Sequence, residues 1–259
     1  MSAEADSLAE LLLAARQAHQ KLDTLPENLR PADEAAAIAV QRVLAERLDA
    51  LPPAGFKIGA TAKHMQAYLD VDGPIAGFIA KPGLHASGIR LRFADFQSPG
   101  VECELVARLG ADLPAGPCDA ARAAAAVEAV SAGIEIVENR YPDISEFGTN
   151  ALIADQVCHA AAVTGAAQTE WRALDLKGIE GTLLVNQGER GHGKGAELLG
   201  DPMAALAWLA SSPLAAAFGG LKAGQVVMLG SVTPTVWLLG PAKVEVLFPP
   251  LGTVFLTLE

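Results

Sequence analysis

A proline- and glycine-rich break at residues 51–55 (LPPAG) separates two stretches of chain with different hydrophobic patterning. Before the break, apolar residues recur at helical spacing, first around Leu8 and Leu12 and again around Ile38 and Leu44. After it, short apolar runs are interrupted by Gly and Pro, which is typical of an all-β or α+β body. The strands do not alternate regularly with helices, which argues against a doubly wound sheet. The sequence therefore predicts one domain over residues 1–259, with a helical segment at 1–53 and a β-rich body at 54–259.

Eight strands and two further helices are predicted within this body. The strands cover residues 56–60, 88–93, 102–109, 133–137, 182–186, 226–229, 242–247 and 253–258. The helices cover residues 119–131, where alanine predominates, and 202–217, which begins at a proline. The glycine-rich residues 191–195 (GHGKG) match neither a phosphate loop nor a dinucleotide-binding fingerprint, and we interpret them as a flexible connection.

The charge balance restricts the partners of the chain. There are 19 Lys and Arg residues against 30 Asp and Glu residues, a net charge of −11. Such a surface repels phosphate backbones and anionic lipids, so neither nucleic acid nor a membrane is an expected partner. With 51% hydrophobic residues the chain is not disordered. If its substrate is a small anion, positive charge must be concentrated locally, for instance by a bound divalent cation.

The cysteines and the N-terminus indicate the compartment. Cys103, Cys118 and Cys158 are odd in number and form no CxxC pair, which argues against a disulfide framework and for a reducing environment. The first ten residues are acidic and lack the basic region of a secretory signal. No apolar run approaches the roughly 18–20 residues that a membrane span requires. We therefore expect a cytoplasmic protein.

Two acidic residues alternate within an apolar predicted strand at residues 101–106 (VECELV). Side chains two apart in a strand point to the same face, so Glu102 and Glu104 project side by side. Burying two neighbouring carboxylates is costly, and a hard divalent cation such as Mg²⁺, Mn²⁺ or Ca²⁺ would offset that cost. The alternative interpretation is a solvent-facing edge of a half-exposed strand.

Two other segments place a charged residue inside an apolar strand. Glu135 is flanked by isoleucines at residues 134–136, whereas Glu138 would face the opposite side of a regular strand. Glu135 is therefore the better candidate for a buried site, although an outward position on an amphipathic strand fits the pattern as well. Lys57 lies between glycines in residues 55–59 (GFKIG), where a ligand could approach closely; most lysines, however, only solvate the surface.

Other catalytic patterns are absent from the sequence. The five histidines show no spacing typical of a zinc site. Ser231 follows a glycine but lacks the second glycine of a hydrolase nucleophile elbow.

Taken in order, several segments resemble the group of 2-keto-4-pentenoate hydratases and 4-oxalocrotonate decarboxylases within the fumarylacetoacetate hydrolase superfamily. The matching stretches are residues 55–61 (GFKIGAT), 101–104 (VECE), 134–140 (IEIVENR), 153–156 (IADQ), 200–210 (GDPMAALAWLA), 221–227 (LKAGQVV) and 230–233 (GSVT). The likeness spans nearly the whole chain, and the ordered set is far more specific than any one stretch.

This resemblance implies an α+β fold, a mixed β-roll of the fumarylacetoacetate hydrolase C-terminal type preceded by a helical segment. It implies a Mg²⁺ or Mn²⁺ site on Glu102, Glu104 and Glu135, and it selects Glu135 over Glu138. The implied catalytic residues are Lys57, near the substrate carboxylate and oxo group, and Asp155, in a stretch that closes over the site. The implied substrate-binding residues are Gly59, Ser231 and Thr233.

The implied activity is a hydratase that adds water to a 2-hydroxy-2,4-dienoate, as in the meta-cleavage degradation of aromatic compounds. The resemblance also implies a homo-oligomer, paired with another enzyme of the same pathway. Three residues depart from the family pattern, namely Gln156, Cys158 and Pro234. The alternatives are a 4-oxalocrotonate-type decarboxylase, which would use the same site, a C–C bond hydrolase as in other branches of the superfamily, and a non-catalytic binding protein, which the departures leave open.

Overall fold

The first helices of the chain form where the sequence predicts them. The computed structural model describes residues 3–142 and 147–259. The second helix, α2 at Glu34–Arg47, begins after Asp33, whose side chain accepts a hydrogen bond from the Ala36 N–H at 2.8 Å. Leu44 is buried on its inner side, whereas Leu48, predicted on the same apolar side, is exposed. The α-helices are α1 Ala3–Gln17, α2 Glu34–Arg47, α3 Lys63–Leu69, α4 Ala120–Ala126, α5 Thr149–Ala154, α6 Pro202–Ser211 and α7 Pro213–Ala217.

Thirteen strands in the described residues form two sheets. They are β1 Gly55–Gly59, β2 Ile75–Ile79, β3 Leu84–Ala86, β4 Ile89–Leu91, β5 Pro99–Leu109, β6 Val127–Glu138, β7 His159–Thr164, β8 Glu180–Val185, β9 Gly188–Lys194, β10 Val226–Ser231, β11 Val236–Trp237, β12 Ala242–Phe248 and β13 Gly252–Leu258. The first sheet has the order β2-β1-β10-β5-β6-β7-β3, with β11 also paired to β5. The second has the order β4-β13-β12-β8-β9.

Both sheets mix parallel and antiparallel pairs. Strand β1 runs parallel to β10, and β13 runs parallel to β4, whereas β5 and β6 are antiparallel. Short 3₁₀ segments lie at Glu27–Leu29, Lys81–Gly83, Phe93–Asp95, Trp171–Ala173 and Gly195–Glu197. The α+β class expected from the sequence is confirmed. In the described part of the chain, no helix is long and apolar enough to cross a membrane.

The two sheets pack closely on one face of β5. A Cβ added to Gly181 of β8 would lie 2.4 Å from the Phe248 ring and 3.0 Å from the Cys103 sulfur, so a side chain there would separate the sheets. Residues on this face of β5 and β6, such as Cys103 and Ile134, belong to the main hydrophobic core. Because side chains alternate along a strand, Glu102 and Glu104 of β5 point to the other face.

Two helix predictions are corrected by the structure. The helix predicted at 119–131 ends at Ala126, and the chain continues as β6 from Val127. Pairing with β5 along nearly the whole length of β6 outweighs the helical preference of the alanines. The helix predicted at 202–217 is divided at Ser212, because Pro213 cannot donate the hydrogen bond that would continue it.

Strands were also missed. Residues 191–195 are not a flexible connection: all but the last belong to β9, which pairs with β8. Strand β7 has the sequence HAAAVT, and its alanines give no strand signal. Strands β2, β3 and β11 were not predicted either.

Candidate metal centre and substrate pocket

Three carboxylates meet on one face of the β5–β6 pair. Glu102 and Glu104 are two residues apart on β5, and Glu135 of β6 is the direct register partner of Glu102. Each of the three offers an oxygen, and these oxygens all lie within 4.8 Å of one another. The register, which the sequence does not contain, is what brings Glu135 to the other two.

Strand β10 holds Glu104 in place through a backbone donor. The Gly230 N–H donates a hydrogen bond to Glu104 Oε2 at 2.9 Å, next to a register shift between Met228 and Ser231. Gly230 has φ +114°, and a Cβ there would lie 2.3 Å from the Thr61 hydroxyl oxygen. Glycine is therefore required at this position.

The other two carboxylates are held by side chains. The Thr235 hydroxyl donates to Glu102 Oε1. Glu135 Oε1 lies 2.8 Å from His159 Nδ1 and 3.2 Å from Lys57 Nζ. The sequence interpretation missed His159, since a single histidine outside any metal-ligand spacing gives no signal.

The cluster contains three acidic groups and one cation, and its pKa values reflect this imbalance. Burial and the nearby Glu135 raise the pKa of Glu102 to about 7. Burial, Glu135 and Glu102 raise the pKa of Glu104 well above its ordinary value. Burial alone would also raise the pKa of Glu135, but the Lys57 ammonium and the His159 hydrogen bond bring it below the ordinary value. Burial disfavours the Lys57 cation, yet the acids around it, Glu135 first, raise its pKa.

The donor set fits a hard divalent cation. Glu104 Oε1 and Glu135 Oε2 are buried, and neither has a hydrogen-bond partner in the described part of the chain. Buried polar atoms without partners are costly, and carboxylate oxygens are the ligands that Mg²⁺ and Mn²⁺ prefer. A divalent cation would balance the two negative charges that remain after Lys57 is counted.

A cavity of about 390 Å³ opens at this cluster. Lys57 and Glu102 lie in its wall together with Thr61, Ser231 and Thr235. The rest of the lining is largely apolar, with Met65, Leu69, Leu152, Val157, Pro234 and Trp237 among its residues. The cavity can therefore take a small acid whose polar end reaches Glu102 and Lys57 and whose other end is apolar.

Of the three residues expected to bind substrate, two line the cavity. A Cβ on Gly59 would lie 2.8 Å from Val157 Cγ1 and 3.5 Å from Lys57 Nζ, so glycine leaves space for Val157 beside the lysine. The Ser231 hydroxyl is in the wall and donates to the Thr233 carbonyl at 2.7 Å. The Thr233 side chain is buried against Gly191 of β9 and is not among the lining groups.

Asp155 lies behind the cavity wall. Its Oδ1 accepts from Arg16 at 2.5 Å, and its Oδ2 accepts from Arg140 at 2.8 Å and from the Tyr141 hydroxyl at 2.7 Å. Burial would raise the pKa of Asp155, but Arg140 and Arg16 lower it. These three partners are not lining residues. Both carboxylate oxygens of Asp155, which the resemblance implies to be catalytic, are thus bonded to residues outside the cavity lining.

The three departures from the family pattern have different environments. Cys158 and Pro234 line the cavity. Gln156 does not, and its side chain is held between Arg16 and the Phe78 carbonyl.

The chain is similar in sequence to known proteins over most of its length. A model of the fumarylacetoacetate hydrolase C-terminal family matches residues 62–258. A 2-keto-4-pentenoate hydratase of Burkholderia vietnamiensis is 30% identical over 89% of this chain and 88% of the relative. A 4-oxalocrotonate decarboxylase of Pseudomonas putida is 28% identical over 77% of this chain and 75% of the relative.

The fold is similar to solved structures as well. The 4-oxalocrotonate decarboxylase of Pseudomonas putida G7, in a complex with magnesium and adipate, superposes with a TM-score of 0.91 at 25% identity, over 100% of this chain and 99% of the other. A fumarylpyruvate hydrolase of Pseudomonas aeruginosa shares the fold, with a TM-score of 0.62 at 16% identity over 79% and 89% of the two chains. The resemblance drawn from the sequence is confirmed: this chain belongs to the fumarylacetoacetate hydrolase family.

Proposed function

We propose that this protein is a divalent-metal-dependent hydratase that adds water to a 2-hydroxy-2,4-dienoate, or its 2-oxo tautomer, and forms a 4-hydroxy-2-oxo acid. One observation carries the proposal: Glu102, Glu104, Glu135 and Lys57 form a cluster at a cavity whose remaining lining is largely apolar. Relatives named as hydratases of 2-keto-4-pentenoate and of 2-hydroxyhexa-2,4-dienoate, at 30% and 29% identity, support this substrate class.

Glu102, Glu104 and Glu135 would hold the cation, either Mg²⁺ or Mn²⁺. Two structures of the related decarboxylase, at 25% identity, contain magnesium in one case and calcium in the other, which supports a hard cation here. When bound, the cation supplies Lewis-acid polarisation of the oxygen next to the substrate carboxylate.

We assign two possible tasks to Lys57: to pair with the negative charge of the substrate, or to donate a proton to it. The Lys57 side chain is 2% exposed, and its ammonium lies 3.2 Å from Glu135, at the wall of the cavity. A cation in that position can pair with the substrate carboxylate or donate a proton to carbon as water adds. We assign Gly59 and Ser231 to the wall around the substrate, and Thr233 and Asp155 to the support of that wall.

The cavity lining favours hydration over decarboxylation. A 4-oxalocrotonate-type substrate has a second carboxylate at its far end, which would need a cation or several donors there. Among the lining residues that the structure describes, Lys57 is the single cation, and it is already at the metal cluster. An uncharged tail fits the apolar wall without that cost. The similarity to a decarboxylase structure with adipate keeps decarboxylation as the second candidate.

A paired assay tests the proposal. Metal-free protein is given Mg²⁺ or Mn²⁺ and then 2-hydroxypenta-2,4-dienoate or 4-oxalocrotonate, with dienoate absorbance and CO₂ release as readouts. We expect metal-dependent loss of the dienoate and formation of the 4-hydroxy-2-oxo acid. Faster CO₂ release from 4-oxalocrotonate would favour the decarboxylase, and turnover of neither substrate with either metal would contradict both.

The proposal includes a homo-oligomer, a pathway partner enzyme and a cytoplasmic location. The odd number of cysteines and the lack of a CxxC pair in the sequence support the reducing compartment. Light scattering of the purified protein tests the oligomer.

A further inference from the structure

An arginine of the N-terminal helix reaches the wall of the cavity. Arg16, in the last turn of α1, donates to Asp155 Oδ1 at 2.5 Å and to the Gln156 side-chain oxygen at 2.6 Å. Asp155 and Gln156 follow Arg16 by 139 and 140 positions in the sequence. The family match begins at residue 62, so Arg16 comes from a part of the chain outside it.

The segment that Arg16 contacts has an unusual backbone. Gln156, Val157 and Cys158 have φ values of 55°, 54° and 61°, so three consecutive residues other than glycine are left-handed. L-residues avoid this conformation because Cβ approaches the following carbonyl oxygen, and a run of three needs surrounding contacts to persist. We call residues 156–158 the left-handed turn.

The left-handed turn forms part of the cavity wall. Val157 and Cys158 both line the cavity that contains Lys57. Val157 packs where Gly59 leaves space, and the turn approaches β2 so closely that a Cβ on Gly77 would lie 2.7 Å from the Gln156 carbonyl oxygen. A shift of this turn would therefore move the wall beside Lys57.

The contacts of the turn divide between two sets of residues. Arg140 and Tyr141 hold Asp155 Oδ2, and the Phe78 carbonyl accepts from the Gln156 side chain at 2.8 Å. Arg16 holds the remaining oxygen of Asp155 and the side-chain oxygen of Gln156 together. We propose that Arg16 is a positioning residue, which locks the left-handed turn and thereby sets the wall of the substrate cavity.

Thiol labelling tests the proposal without reference to the reaction. The Cys158 thiol is buried in the turn, and burial raises its pKa to about 12, so it should react slowly with iodoacetamide. In Arg16→Ala we expect Cys158, followed by peptide mass spectrometry, to react at least about 10-fold faster than in the wild type. Cys118, which is partly exposed, serves as the internal reference and should keep its rate.

Two further variants separate positioning from general loosening of α1. Arg47 pairs with Asp6 and so links α2 to α1 without touching the turn. Arg47→Ala should leave Cys158 labelling unchanged, and Arg16→Lys, which keeps the cation, should recover part of the protection. Unchanged Cys158 labelling in a folded Arg16→Ala protein would overturn the proposal. So would equal acceleration in Arg47→Ala.

The kinetic measurement rests on the hydratase activity proposed above, whereas the labelling does not. In Arg16→Ala we expect KM for the dienoate to rise about 10-fold and kcat/KM to fall up to about 100-fold, because a displaced wall misplaces the substrate. Mn²⁺ affinity, measured by calorimetry, should remain within about threefold, since the three carboxylates are untouched. Faster labelling in a protein that does not hydrate the dienoate would contradict the proposed function and leave the positioning role supported. An unchanged KM together with faster Cys158 labelling would overturn the claim that the left-handed turn sets the wall of the substrate cavity.

Discussion

Glu102 and Glu135 face each other directly across the antiparallel strands β5 and β6. Like charges at opposite register positions destabilise a sheet, and both side chains here are largely withdrawn from water. The arrangement is costly for the metal-free protein, and it leaves carboxylate oxygens ready for a cation.

The pKa of Glu102 predicts how pH changes the stability of the metal-free protein. The folded-state value is about 7, against roughly 4.3 in an unfolded chain. A raised pKa stabilises the fold below the unfolded value, and this contribution is lost as pH rises through the folded value. In EDTA, the Tm of the wild type minus that of Glu102→Gln should therefore fall between about pH 4 and pH 7.

Saturating Mg²⁺ should abolish most of the pH-dependent fall in this Tm difference, because the cation binds the deprotonated carboxylates. Thermal melts of both proteins at matched pH values check this. A Tm difference that stays constant with pH in EDTA would contradict the burial and the charge coupling of Glu102.

Lys57→Met should lower kcat/KM for the dienoate by about 10²-fold, since the substrate loses its cationic partner. The metal-free protein should also lose stability, because Glu135 would keep a buried charge without its ion pair. Lys63→Met is the control: Lys63 is exposed and contacts Gln66 rather than the cluster. Steady-state kinetics and melts with and without Mg²⁺ measure both effects. Near-normal kcat/KM in Lys57→Met would remove the catalytic assignment.

Trp237 lies in the cavity wall and is 40% exposed, so it should contact the far end of the substrate. Each methylene buried there is worth about 0.8 kcal/mol, or about fourfold in kcat/KM. Trp237→Ala should therefore lower kcat/KM more for dienoates with ethyl or propyl tails than for 2-hydroxypenta-2,4-dienoate. Phe255→Ala, at a residue of similar exposure on β13 outside the cavity lining, should show no such dependence. Equal losses of kcat/KM for all tail lengths would mean that the substrate tail does not contact Trp237.

Gly230→Ala should weaken metal binding and destabilise the fold by about 1–3 kcal/mol. The alanine would have to adopt φ +114°, and its Cβ would meet the Thr61 hydroxyl. The backbone N–H of residue 230, which donates to Glu104, would therefore move. Gly224→Ala is the matched control, because Gly224 also has positive φ but open space around its Cβ position. Calorimetric titration with Mn²⁺ and chemical denaturation compare the two variants. Equal effects of both substitutions would mean that backbone conformation alone, and not the contact with Thr61, explains the loss.

Part of the candidate site could be predicted from local sequence alone. The two-residue period of a strand places Glu102 and Glu104 on one face, and the break at residues 51–55 marks where the helices end. Local patterning failed where alanines continue from α4 into the start of β6, because pairing with β5 decides the conformation of that stretch. The choice of Glu135 over Glu138 needed the family resemblance as well.

The sequence by itself determined the α+β class, the N-terminal helices, the same-face acids and the likeness to the fumarylacetoacetate hydrolase family, because these depend on neighbouring residues or on ordered motifs. Only the tertiary structure decided that Glu135 lies opposite Glu102, that His159 holds it, and that Asp155 pairs with Arg16 behind the cavity wall. The hydrogen bond between His159 and Glu135 spans 24 positions, and that between Arg16 and Asp155 spans 139. Contacts at such separations depend on strand register and helix docking, which no local period encodes.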